Sequence, residues 1–140
     1  MAQSLVVQFP GGKRVDVKVG DFLVQTDQSL KAGGEASAPE PYALFLSSLA
    51  ACAGIFALNF CTSRHLSTEG LALSMDWERD PKVPADAKAR LRLRLPEGFP
   101  DRYRAGIVRA MDLCAVKKTI ENPPEFTSVL ENREISSIGG

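Results

Sequence analysis

Short stretches in which apolar and polar residues alternate flank one long apolar block that has no such rhythm. Residues 3–9 (QSLVVQF) form a strand candidate that ends at Pro10-Gly11-Gly12, and Val15 and Val17 then alternate with Arg14, Asp16 and Lys18. Period-two alternation predicts a strand with one buried face. Gly20 turns the chain into residues 21–26 (DFLVQT), completing an antiparallel meander, and the small, polar segment 27–38 predicts a loop. Pro39 and Pro41 suit the first turn of a helix, where a missing N–H costs nothing. The apolar block carries that helix to about Leu66. Beyond Gly70, Leu71, Leu73, Met75 and Trp77 alternate with Ala72, Ser74, Asp76 and Glu78. After a polar loop, Leu91, Leu93 and Leu95 alternate with Arg90, Arg92 and Arg94. These segments predict a hairpin whose outer faces carry opposite charges, so the arginine stripe reads as a solvated, cross-strand-paired face rather than an anion site. Pro100-Asp101 opens a second helix through Met111, with Tyr103, Ile107 and Met111 on one side. A short helical piece through Lys117 and Thr119 stops at Asn122-Pro123-Pro124, residues 126–135 predict a last strand, and the terminal SSIGG predicts a frayed tail. Meanders and helices are segregated along the chain, so the expected class is α+β, in a single domain over residues 1–140.

Projected at about 100° per residue, the central helix has two unlike apolar faces. Phe45, Leu49, Cys52, Phe56 and Phe60 form a bulky stripe, whereas Ser47, Ala50, Ala51, Gly54, Ala57 and Cys61 form a small one. A helix that is apolar all round must be buried all round, and a small domain has one sheet to lay against it. The small face therefore predicts the close approach of a second copy of the chain in a symmetric homodimer. The uncharged run from Tyr42 to Cys61 is also long enough to cross a bilayer. Ser47, Ser48 and Asn59 interrupt it and its centre is alanine and glycine, so a core helix is expected and no membrane partner.

Composition narrows the function classes. Seventeen basic and seventeen acidic side chains leave no net charge, without the basic excess that a nucleic-acid partner requires. Three cysteines are too few for a secreted disulfide scaffold, and the N-terminus lacks the pattern of a signal peptide, which points to the cytoplasm. There a disulfide would be transient and chemical.

Cys52 and Cys61 lie on opposite helix faces, about 13.5 Å apart along the axis, whereas a disulfide tolerates Cα separations up to about 7 Å. If Cys52 has a partner, it is Cys114. Cys61 then reads as packing, free cysteine being among the most buried residue types. Cys114 stands where one helix ends and another begins, with Lys117 and Lys118 one turn on. That setting favours a thiolate. Equally, Ile107, Met111 and Cys114 could form one apolar stripe with the lysines solvating the far side. Cys61 and His65 have a spacing that zinc ligands use, but no further ligands accompany them, and no metal site is expected.

PEPYALFLSSLAACAG resembles the central helix of the OsmC/Ohr family, and LCAVKKTIENPPEF resembles that family's second cysteine motif. The resemblance implies antiparallel sheets wrapped around a long buried helix in an intertwined homodimer, with the cysteine pair at the subunit interface. It also implies a thiol-dependent peroxidase acting on organic hydroperoxides. Cys52 would attack the O–O bond, Cys114 would resolve the product as a disulfide, and an external thiol reductant would restore both, with no metal or organic cofactor. Phe45, Leu49, Phe56 and Phe60 would bind the hydrophobic tail of the hydroperoxide. By resemblance of PGGKRVDV, Arg14 (or Lys13) would hold the attacking thiolate. Two departures stand out: Tyr42 and Ala43 occupy the first turn where peroxidatic members carry a glutamate, and Ala115 replaces a proline after the second cysteine. The missing glutamate gives weight to an alternative, a family member that binds a hydrophobic ligand or senses redox state without efficient peroxidase activity.

Overall fold

The computed structural model describes residues 3–131. Three strands, β1 (Val6–Gly11), β2 (Arg14–Val19) and β3 (Phe22–Thr26), form an antiparallel meander in the order β1-β2-β3. Val7, Val17 and Val24 align across it on one face, and Gln8, Asp16 and Gln25 on the other. A two-residue turn joins β2 to β3, and Gly20 takes the left-handed φ of 58° that such a turn requires.

The polar loop after β3 is ordered around a carboxylate. Asp27 is buried and accepts hydrogen bonds from the Gln28 N–H (2.7 Å), the Ser37 N–H (3.0 Å) and the Ser37 hydroxyl (2.6 Å). The Ser37 side chain and these N–H groups hold its pKa down to about 2. The loop closes tightly enough that any Cβ at position 34 would run into the Gln28 carbonyl, so Gly34 is sterically required.

Helix α1 (Pro41–Ser63) begins with proline in its first turn, as expected, but ends three residues before Leu66. His65 adopts a left-handed φ of 55°, while the Leu66 N–H reaches back to the Cys61 carbonyl (2.9 Å) and the His65 N–H to that of Thr62 (3.2 Å). This is a Schellman stop with histidine where glycine is usual. It folds Leu66 onto the core and takes His65 off the helix face it would have shared with Cys61.

Strands β4 (Ala72–Asp80) and β5 (Val83–Arg94) form the expected hairpin, with Leu73 opposite Leu93, Met75 opposite Leu91 and Asp76 opposite Arg90. Arg92 pairs with Asp76 at 3.0 Å. The hairpin is longer than expected, because residues 83–89 continue β5 instead of forming a loop. Their alternation rests on alanines, which carry too little hydrophobic contrast to show in the sequence pattern. A 3-10 turn (Asp101–Tyr103) leads into α2 (Arg104–Met111), and α3 (Ala115–Glu121) follows. Residues 126–131 form no strand, contrary to expectation, and residues 132–135 of that segment lie outside the described residues.

The core is built by Ala53, Ala57, Phe60 and Cys61 of α1 with Phe99, Ile107 and Met111. Leu73 and Leu93 of the hairpin, with Leu71 and Leu95 flanking its strands, pack against it. Part of the small face of α1 is covered within the chain itself. A Cβ built on Gly54 would sit 3.7 Å from the Leu73 side chain, and Ala57 and Cys61 are buried within the same chain. Small residues there let the chain's own hairpin and α2 approach the helix. Ser47 and Ala51 of the same face stay exposed, as do Ile55, Leu58 and Asn59 beside it. By length and composition α1 could cross a membrane; in the structure it packs against α2, α3 and β4.

Candidate dithiol site

Cys114 is the N-cap of α3. Its sulfur accepts the Lys117 N–H at 3.4 Å, taking the place that a serine hydroxyl fills in an ordinary cap, and its carbonyl accepts the Lys118 N–H at 3.0 Å. The thiol is almost wholly buried, at 2% exposure. Its position follows from the chain just before it, where α2 ends at Met111 and the Cys114 N–H bonds back to the Met111 carbonyl (3.3 Å). With Ile107 and Met111 fixed in the core, the start of α3 is laid across the middle of α1, where Cys52 is half-buried.

There the Cys114 thiol and the Val116 and Ala115 N–H groups lie near enough to the Cys52 sulfur to favour its thiolate. These donors lower the Cys52 pKa against the opposing effect of burial, the Cys114 thiol contributing most. Cys114 moves the other way, pushed up first by burial and then by donating to Cys52. The two shifts run in opposite directions and favour the thiolate on Cys52 and the thiol on Cys114. The arrangement provides one nucleophile and, beside it, one thiol in reserve.

Sequence reasoning found both cysteines and placed the helix terminus at Cys114, but did not foresee that it also acts on Cys52. The first turn of α3 serves both sulfurs: the Lys117 N–H donates to Cys114, while the Ala115 and Val116 N–H groups also lower the Cys52 pKa. Nor do the lysines act as expected. The Lys117 ammonium binds Asp112 at 2.9 Å and reaches Glu121 at 4.0 Å, and its own pKa is raised chiefly by Asp112. The motif DLCAVKK did announce a helix start, but nothing local in it says which sulfur the exposed N–H groups will meet.

Arg14 is not brought to the thiols. Its guanidinium pairs with Asp16 on its own strand at 3.3 Å, and the groups that shift Cys52 include no cation. The four expected tail-binding residues do not converge on one cavity among the described residues. Phe45 belongs to an aromatic cluster with Tyr42 (5.6 Å between ring centroids) and Trp77 (6.3 Å) near the start of α1. Leu49 is buried, Phe56 lines a groove between α1 and α2, and Phe60 stands edge-on to Tyr103 at 5.8 Å within the core. Tyr42 packs against Trp77 and under Arg79, so an aromatic contact occupies the first turn of α1, which holds no acidic residue.

A family model described as OsmC, OsmC-like protein, matches residues 34–129, which include both cysteines and the helices that carry them. The chain belongs to the OsmC-like family. Solved structures share the fold over most of its length. One, from Psychrobacter arcticus 273-4 and described as an osmotic stress induced and detoxification response protein, superposes with a TM-score of 0.68 at 16% identity, covering 85% of this chain and 88% of the other. An organic hydroperoxide resistance protein, OsmC, from Legionella pneumophila gives 0.58 at 18% identity, over 86% and 89% of the two chains. An OsmC-like protein from Mycoplasma pneumoniae gives 0.64 at 14% identity, over 88% and 89%. No curated protein sequence matches. As an OsmC-like protein the chain has the expected α+β fold.

Proposed function

We propose that this OsmC-like protein is a thiol-dependent peroxidase that reduces organic hydroperoxides in the cytoplasm as a homodimer. The observation that carries the reading is the opposite shift of two neighbouring thiols, Cys52 lowered and Cys114 raised. The Cys52 thiolate attacks the terminal oxygen of the hydroperoxide. An S–O bond forms as the O–O bond breaks, and the alkoxide takes a proton and leaves as the alcohol. Cys52 is left as a sulfenic acid. Cys114 then attacks the Cys52 sulfur. The S–S bond forms, the S–O bond breaks, and the departing hydroxide takes the Cys114 proton to leave as water. An external thiol reductant supplies two electrons and two protons by exchange, restoring both thiols and ending as its own disulfide. No metal or organic cofactor enters this scheme. Cys61, buried and with its pKa raised by burial, takes no part. Arg14, held by Asp16 rather than by a helix carboxylate, stays in the proposal as the guanidinium that the N-terminal sheet would offer the thiolate in the assembled dimer.

The test is consumption of cumene hydroperoxide by the dithiol-reduced protein. Cys52→Ser abolishes it, Cys114→Ser leaves a sulfenic acid on Cys52 that a dimedone reagent traps, and Cys61→Ser changes little. Inactivation by Cys61→Ser, or full turnover without Cys52, would overturn the assignment. The absence of an acidic residue from the first turn of α1 favours a second reading, a redox sensor that forms the Cys52–Cys114 disulfide once and is reduced slowly. Stoichiometric oxidation without turnover under excess reductant would select that reading.

A further inference from the structure

The groove between α1 and α2 has a volume of about 520 Å³ and an uneven lining. Phe56, Phe60 and Leu113 give it apolar walls, Arg64 and Arg109 stand along it, and none of its lining residues is acidic. Arg64 is fixed in place. Its guanidinium carbon lies 3.6 Å from the centroid of the Phe60 ring, and its Nη1 donates to the Phe60 carbonyl and the Ser63 hydroxyl, both at 3.2 Å. It makes no ion pair among the described residues, and neither does Arg109. A guanidinium that is stacked, tethered and without a carboxylate retains donors for an anion and loses little freedom on binding one. Gly106 keeps the floor open, because a Cβ there would come within 3.0 Å of the Phe60 ring. At the other end the lining reaches Leu113, the residue before Cys114, and Phe56, one helical turn beyond Cys52 and about 6 Å further along the axis.

We propose that this groove binds an apolar carboxylate, with the acid group on Arg64 and Arg109 and the hydrocarbon chain running along Phe56 and Leu113 toward the dithiol. From Cys52 to Phe60, over which the Arg64 guanidinium lies, is about 12 Å along the helix axis, the reach of a medium-length acyl or arylalkyl chain. Charge complementarity chooses the occupant: neutral hydrocarbon has no use for two unpaired arginines, and a polyanion has none for the aromatic wall. The proposal rests on the peroxidase reading only for the identity of the substrate, a hydroperoxide that also bears a carboxylate. Binding itself needs no catalysis.

The experiment is calorimetric titration of the full-length reduced protein with decanoate, below its micelle concentration, and with decanol as the neutral control. Decanoate binds more tightly than decanol, and added salt narrows the gap. Arg109→Gln and Arg64→Gln each weaken decanoate about tenfold, as expected for a lost charge-assisted hydrogen bond, and leave decanol unchanged. Arg109 is exposed and makes no ion pair, so its variant keeps the test valid should Arg64→Gln disturb folding around Phe60. Equal binding of acid and alcohol, indifference to both substitutions, or no binding at all because a partner subunit covers the groove would each overturn the proposal. Cys52→Ser protein must bind decanoate as the wild type does. If it does while the wild type consumes no hydroperoxide, the peroxidase reading fails and the carboxylate site stands. If both are active, Arg109→Gln raises KM for a carboxylate-bearing hydroperoxide and leaves that for cumene hydroperoxide unchanged.

Discussion

Around α1, α2, β4 and β5, apolar side chains meet one another. Ala53, Ala57, Phe60, Ile107 and Met111 are buried together under the leucines of the hairpin. In the N-terminal meander they do not: Leu5, Val6, Val7, Phe9, Phe22 and Leu23 are all between 48% and 79% exposed. Isolated exposed hydrophobes need no explanation, but a small sheet that leaves this many uncovered does. The two regions are stabilised differently. The helical part closes within one chain, whereas the meander, the outer face of α1 and the apolar segment around Phe126, Val129 and Leu130 await cover. A second copy of the chain is the proposed source.

The largest expected effect tests that contrast directly. Ile107→Ala removes a wholly buried side chain and should cost about 2–5 kcal/mol. Urea unfolding should show that loss at every protein concentration. Phe9→Asp with Phe22→Asp should instead shift sedimentation from dimer to monomer and make stability independent of concentration. If the double variant stays dimeric, or the wild type is monomeric at micromolar concentration, the contrast between the regions does not reflect assembly.

Next in size is the thiol pair, which α3 holds against α1. Cys52 should titrate below the ordinary cysteine value of about 8.5 and react with iodoacetamide at correspondingly low pH. Cys114→Ala removes the strongest of its donors and should move that titration upward, while the Ala115 and Val116 N–H groups keep part of the shift. A wild-type midpoint at or above the ordinary value would show that α3 does not activate Cys52.

A smaller effect belongs to the loop that joins the two regions. Folding lowers the Asp27 pKa from 3.8 to about 2, so the unfolded chain binds the proton more readily. The stability this contributes is complete above about pH 4 and is lost as pH falls toward about 2. Asp27→Asn should flatten the acid limb of the stability profile in that window and leave its neutral region parallel to the wild type. An unchanged slope would mean that Asp27 keeps its hydrogen bonds when unfolded. The smallest change concerns the end of α1, where His65→Gly relieves a left-handed φ and should stabilise by up to about 1 kcal/mol in thermal unfolding. Destabilisation there would mean that the imidazole has a contact worth more than the strain.

Much of this was legible in the chain itself. The strong alternation of Val15 and Val17, and of Leu91, Leu93 and Leu95, marked strands because contact with water on one side selects period two. Pro41 marked the start of α1, and the cysteine motifs marked the family, since both depend on residues adjacent in sequence. Where the sequence signal was faint, the reading slipped. The alanines of β5 hid seven residues of strand, and a histidine in a glycine position hid the end of α1. The tertiary structure alone decided which neighbours share a site. Helical projection showed that α1 has a small face, but not that Leu73 would occupy it. The sequence placed a helix terminus beside Cys114, yet only the packing of α2 against α1 brings that terminus near Cys52 as well. A thiol's proton affinity depends on donors within a few ångströms in space, and local sequence does not specify which distant segment will supply them.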